Sequence, residues 1–97
     1  PMAIPGIRQR DLSDCGAACL AAVAAHFGLR LGVAEVRRLA GTTAQGSTAL
    51  GLVEAARRLG FTAKGVRGPP ESLPGVPVPA IAHCLVEGRL LHYVVLV

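Results

Sequence analysis

Gln9-Arg10-Asp11-Leu12-Ser13-Asp14-Cys15-Gly16-Ala17-Ala18-Cys19-Leu20 runs from a polar stretch straight into an apolar one, with a cysteine at the junction. From Asp14 to Phe27 the apolar residues leave almost no polar stripe, which predicts a helix buried on nearly all sides and running through the centre of the domain. Ser13 or Asp14 is the expected cap and Gly28 the expected stop. Cys15 then falls in the first turn, where unpaired backbone amides and the helix dipole favour an anion. Thiol pKa values at such positions drop from about 8.5 into a range of roughly 3.5 to 7.5. The bland alternative for such a cysteine is a small buried hydrophobe. Gly16 leaves room for a substrate backbone beside the thiol. Gln9 precedes the cysteine on a segment able to fold back over the helix start, where a side-chain amide can donate to an oxyanion; the bland alternative is a surface residue.

Downstream, Val33 to Ala40 reads as a second helix with Val33, Val36 and Leu39 or Ala40 on one face, ended by Gly41. Thr42 to Gly46 is a polar loop. A third helix starts near Ser47 or Thr48, turns Leu52, Ala55, Ala56 and Leu59 inward and stops at Gly60. The pairs Arg37-Arg38 and Arg57-Arg58 fall on polar sides and read as solvated helix faces. The period then changes. Phe61 to Arg67 has strand character, Gly68 to Pro74 is a turn-rich connection, and Val76 to Val86 is a proline-tolerant edge strand. Glu87-Gly88 is a hairpin turn leading into a strand from Arg89 to Val97. Helices first and antiparallel strands second give an α+β fold.

A two-residue turn at Glu87-Gly88 pairs Val86 with Arg89 and therefore His83 with His92. Both imidazoles would share one sheet face with Ile81, Leu85, Val94 and Leu96, and that face is expected to pack on the Cys15 helix. A bulge would shift the register by one residue and turn one histidine away. His92 opens an apolar strand, so it is either a general base facing a cysteine or a satisfied core histidine.

Composition narrows the function classes. With 97 residues, 52% of them apolar and 16% charged, residues 1–97 fit a single folded domain. No window reaches the roughly 18 to 20 apolar residues that a membrane span needs, and the N-terminus has no apolar stretch of signal-peptide length, so a cytoplasmic location is expected. The net charge of +4 is scattered, and two Phe and one Tyr are too few for base stacking, which gives nucleic-acid binding no support. Three cysteines are an odd number and argue against a secreted disulfide framework. Cys15 and Cys19 with Cys84, His83 or His92 would be the material for a metal site, but no Cys-x-x-Cys knuckle is present, and we expect neither metal nor cofactor. Tyr93-Val94-Val95-Leu96-Val97 ends the chain without a turn signal, so the sheet is expected to continue beyond it, with residues 1–97 a part of something larger.

The Gln9 to Leu20 segment resembles the cysteine motif of the bacteriocin-processing peptidases, the N-terminal cytosolic domains of ABC exporters for double-glycine peptides. His92-Tyr93-Val94-Val95-Leu96 resembles their histidine motif. Gly46-Ser47-Thr48 leading into Leu50-Gly51-Leu52-Val53-Glu54-Ala55-Ala56, and Pro79-Ala80-Ile81-Ala82-His83, are similar to family segments as well, in the same order. The resemblance implies a papain-like cysteine peptidase fold with Cys15 as nucleophile, His92 as base and Gln9 as oxyanion donor. It also implies a double-glycine leader peptide as substrate, cut after Gly-Gly. The implied partners are the transmembrane and ATP-binding domains of an ABC exporter at the inner face of the bacterial plasma membrane. The family's pattern has a further Asp beyond the histidine that orients the imidazole, and residues 1–97 end before it, so these residues alone are expected to lack a complete triad. The alternative is a non-cleaving domain that grips leader peptides, against which Cys15 argues.

Overall fold

The computed structural model of the protein describes residues 14–86 and 89–96. Gln9, Ser13 and the Glu87-Gly88 turn lie outside the described residues, as do the side chains of Cys84 and His92. The order is α1 (Cys15–His26), α2 (Val33–Ala40), α3 (Ala49–Arg58), a 3-10 segment (Pro70–Gly75), β1 (Ala80–Val86) and β2 (Arg89–Leu96).

The apolar run from Cys15 makes α1 central: α2, α3 and both strands all pack on it. Ala17, Ala21 and Ala24 are completely buried along it, and such small side chains let neighbouring elements come close. Gly28 adopts φ +89°, and the Leu29 amide donates to the Ala24 carbonyl at 2.9 Å, which closes the helix where the sequence placed its stop. The α2 helix has the bounds expected of it, and Gly41 at φ +66° lets the Thr42 amide reach the Arg37 carbonyl at 2.9 Å. At the start of α3 the Thr48 hydroxyl accepts from the Gly51 amide at 2.9 Å, an N-cap bond that satisfies one of the unpaired donors of the first turn. Val36 and Ala40 from α2 and Leu52, Ala55 and Ala56 from α3 join Cys15, Cys19, Leu20 and Tyr93 in one core.

Asp14, one of the two caps the sequence offered, occupies the N-cap position of α1, though its side chain makes no capping bond there and accepts from Arg37, as described below. Two expectations need correction. Phe61 to Arg67 forms no strand. Its polar backbone groups finish α3 instead: the Phe61 amide donates to the Ala56 carbonyl at 3.0 Å, and Arg57 Nε donates to the Ala63 carbonyl at 2.9 Å. The edge strand begins at Ala80, not Val76, after the 3-10 segment and a cis Val78–Pro79 peptide. Pro74, Pro77 and Pro79 have no amide proton to give a ladder, so pairing starts only past the last of them.

The hairpin is antiparallel, with Val86 opposite Arg89 as expected, but the register shifts between Cys84 and Leu85. Beyond that irregularity His83 lies opposite Tyr93 and Cys84 opposite His92. The two histidines therefore do not form one cross-strand pair, and the premise for placing both on a shared face is lost. Among the described side chains of β2, Tyr93 and Val95 pack on the core, beside Ile81 of β1, and Leu96, expected there from the sequence, does not; the Val94 side chain lies outside the described residues.

Candidate active site

A helix start meets a strand at Cys15. Its Sγ accepts a hydrogen bond from the Tyr93 amide at 3.1 Å and donates one to the Tyr93 carbonyl, also at 3.1 Å. That amide belongs to the peptide bond that follows His92, so the thiol of α1 rests against the backbone of the histidine segment of β2. Cys19, one turn further along α1, donates to the same Tyr93 carbonyl at 3.3 Å. Both thiols are free and buried. Burial above all, then the charge and hydrogen bond of Cys15, push the Cys19 thiol up to about 12, which keeps it protonated throughout the physiological range.

Tyr93 is the hub. Its hydroxyl donates to the Ser47 carbonyl at 2.8 Å and its ring lies over Gly16. A Cβ on Gly16 would stand 2.9 Å from Tyr93 Cδ2 and 3.1 Å from Leu52 Cδ1, so the space that the sequence reading kept for a substrate backbone is filled by Tyr93 and Leu52. His83 stacks nearly parallel on the ring, with centroids 3.8 Å apart and planes 10° apart. Desolvation against this surface holds the His83 imidazole below its ordinary range. Burial, and then Cys15, raise the Tyr93 phenol above its own.

Asp14, immediately before the candidate nucleophile, is 1% exposed and accepts a charge-assisted hydrogen bond from Arg37 of α2. Arg37 thus departs from the solvated face expected of it, whereas Arg38 stays outside and pairs with Glu35 at 2.6 Å. Among the described residues, no group of three His, Cys, Asp or Glu side chains is arranged to hold a metal ion.

Of the sequence candidates, Cys15 and Gly16 lie together beneath β2, and His92 enters the same region by its backbone, opposite Cys84. Gln9 lies outside the described residues. Sequence reasoning missed Tyr93 and Cys19 as partners of the thiol. A phenol inside an otherwise apolar strand was the available signal for the first, since a buried Tyr hydroxyl needs an acceptor. Nothing local marked Arg37, whose partner is 23 residues away.

Comparison with known proteins places these features in company. The model of a family described as the peptidase C39 family matches residues 3–97. The chain is 43% identical over 89 residues to the transport/processing ATP-binding protein ComA of Streptococcus pneumoniae, covering 90% of this chain and 12% of that protein. It is 36% identical over 91 residues to the lactococcin-G-processing and transport ATP-binding protein LagD of Lactococcus lactis, covering 92% of this chain and 13% of the relative. The chain thus spans about an eighth of the length of these relatives. Among solved structures, the peptidase domain of Streptococcus ComA superposes with a TM-score of 0.80 at 41% identity, over 92% of this chain and 66% of that one. A double-glycine-motif protease from an AMS/PCAT transporter, solved in complex with the leader peptide, gives a TM-score of 0.85 at 37% identity, over 97% of this chain and 65% of the other. Three helices packed on a small antiparallel sheet are here the papain-like α+β fold expected from the sequence.

Proposed function

The chain belongs to the peptidase C39 family, and from that membership we propose that it is a thiol endopeptidase that cuts leader peptides after a Gly-Gly pair during the export of bacteriocin-like peptides. The observation that carries this reading is the seat of Cys15, in the first turn of a helix with its Sγ 3.1 Å from the amide that follows His92. The Tyr93 amide donates to that sulfur, which stands at the start of α1.

In this reading His92 takes the proton of Cys15, and the thiolate attacks the carbonyl carbon of the second glycine. Gln9 donates to the resulting oxyanion. His92 returns the proton to the departing amine, the C–N bond breaks, and the leader remains as a thioester on Cys15. Water, giving a proton to His92, then attacks the thioester carbonyl; the C–S bond breaks, and the proton passes back to the sulfur as the leader leaves. The partners are the transmembrane and ATP-binding domains of an ABC exporter, which would hold the peptidase at the inner face of the bacterial membrane. The names of the relatives, which are transport and processing ATP-binding proteins, support this. Among the described residues no helix is long and apolar enough to cross a membrane.

The test uses the natural full-length chain and a synthetic leader peptide with Gly-Gly before the scissile bond. Cleavage is expected from the wild type, none from Cys15→Ala or His92→Ala, and most of it from His83→Ala. Replacing either glycine of the peptide by Val is expected to stop cleavage, because a clash with a narrow cleft costs more than a missing methylene. Retained cleavage by Cys15→Ala would end the peptidase reading, and an inactive His83→Ala beside an active His92→Ala would move the base to His83.

A further inference from the structure

Two thiols share one acceptor at the base of this site. Cys15 and Cys19 both donate to the Tyr93 carbonyl, at 3.1 and 3.3 Å, and Cys15 also accepts from the Tyr93 amide. The arrangement suits a protonated Cys15. Once Cys15 loses its proton, the amide bond to Sγ strengthens, but the bond to the carbonyl has no hydrogen left, and a thiolate then faces carbonyl lone pairs at the same distance. A second donor is needed if the Tyr93 peptide is to stay where it is.

We propose that Cys19 is a positioning residue for the peptidase reaction: its thiol holds the Tyr93 carbonyl when Cys15 ionises and so fixes β2, with the His92 backbone next to that peptide, against the nucleophile helix. The inference rests on the reading of Cys15 as nucleophile. Three features fit it. Cys19 lies one turn below Cys15, so that both reach the same peptide. It is 8% exposed, so water does not compete freely for its proton. Burial, with the charge and hydrogen bond of neighbouring Cys15, keeps it protonated, hence a donor, at neutral pH. A thiol is a weak donor, so the expected effect is modest.

The measurement is steady-state cleavage of the synthetic Gly-Gly leader peptide by the natural full-length chain and its variants. Cys19→Ala, which removes the donor, should lower kcat roughly two- to tenfold at unchanged KM, the size of one neutral hydrogen bond lost in the transition state. Cys19→Ser, which restores a donor at nearly the same place, should return kcat to within about twofold of wild type. If Cys19→Ala does not fold, Cys19→Val, which fills the volume without a donor, is judged by the same criteria. A wild-type kcat in the donor-free variant, a change confined to KM, or a serine variant no better than alanine would each overturn the proposal. Cys15→Ala run alongside separates the two readings: its retained activity would remove the nucleophile, whereas its inactivity beside an unimpaired Cys19→Ala would remove only the role of Cys19.

Discussion

Gly16 and Cys19 show how single atoms set this region. At Gly16 an added methyl would press on Tyr93 Cδ2 and Leu52 Cδ1, and Tyr93 cannot swing away without giving up its bond to the Ser47 carbonyl. Gly16→Ala should therefore destabilise the fold by about 1 to 3 kcal/mol, the usual cost of overpacking, read as a lower urea midpoint at unchanged m-value. Exposures of 7% and 8% do not distinguish Cys15 from Cys19 as targets for a reagent. A Cys19 thiol held at about 12, however, offers almost no thiolate at neutral pH. Iodoacetamide at pH 7 should leave Cys19 of the folded protein unlabelled while Cys15 reacts, and urea should make Cys19 reactive; peptide mass spectrometry reads both. Labelling of Cys19 ahead of Cys15 in the folded protein would contradict the assignment.

At the scale of elements, the two ion pairs of α2 have opposite meanings. Arg37 reaches back to a buried carboxylate and ties α2 to the start of α1, whereas Arg38 and Glu35 form an exposed pair along α2 itself. Removing one partner of a buried pair leaves a charge in a poor solvent, but water screens an exposed pair and already solvates its members. Arg37→Met should cost about 1 to 3 kcal/mol, less than for a fully buried pair because the Arg37 side chain is 30% exposed. Arg38→Met should hardly move the urea midpoint. Equal losses from the two variants would show that the Asp14 contact contributes nothing special.

For the molecule as a whole, Tyr93 is where the layers meet. Its peptide bonds to thiols of α1, its hydroxyl to the loop before α3, and its ring touches both Gly16 and the His83 imidazole of β1. One residue thus connects the helical half of the papain-like fold to the sheet. Tyr93→Phe keeps the ring and deletes only the bond to the Ser47 carbonyl, so it should cost about 0.5 to 1.5 kcal/mol in denaturant unfolding while the hairpin stays paired. A loss well above this would mean that the hydroxyl organises more of the loop than one hydrogen bond.

The sequence by itself determined the helices and their ends. The apolar run from Cys15, the glycines at 28 and 41 and the Thr48 cap act within a turn or two of where they stand, and local chemistry of that kind is legible without the fold. It also carried the α+β order and the family likeness, with Cys15 at the start of a buried helix. Tertiary structure decided the rest. Phe61 to Arg67 has strand composition, but a strand exists only where another backbone pairs with it, and here the Phe61 amide and the Ala63 carbonyl turn to the end of α3 instead. The irregularity between Cys84 and Leu85 moved Tyr93 opposite His83, and no residue pattern states a register, which depends on which side chains the core accepts. The Asp14 to Arg37 pair spans 23 residues and the Cys15 to Tyr93 contacts span 78, so each depended on elements being folded against one another before either partner could be known.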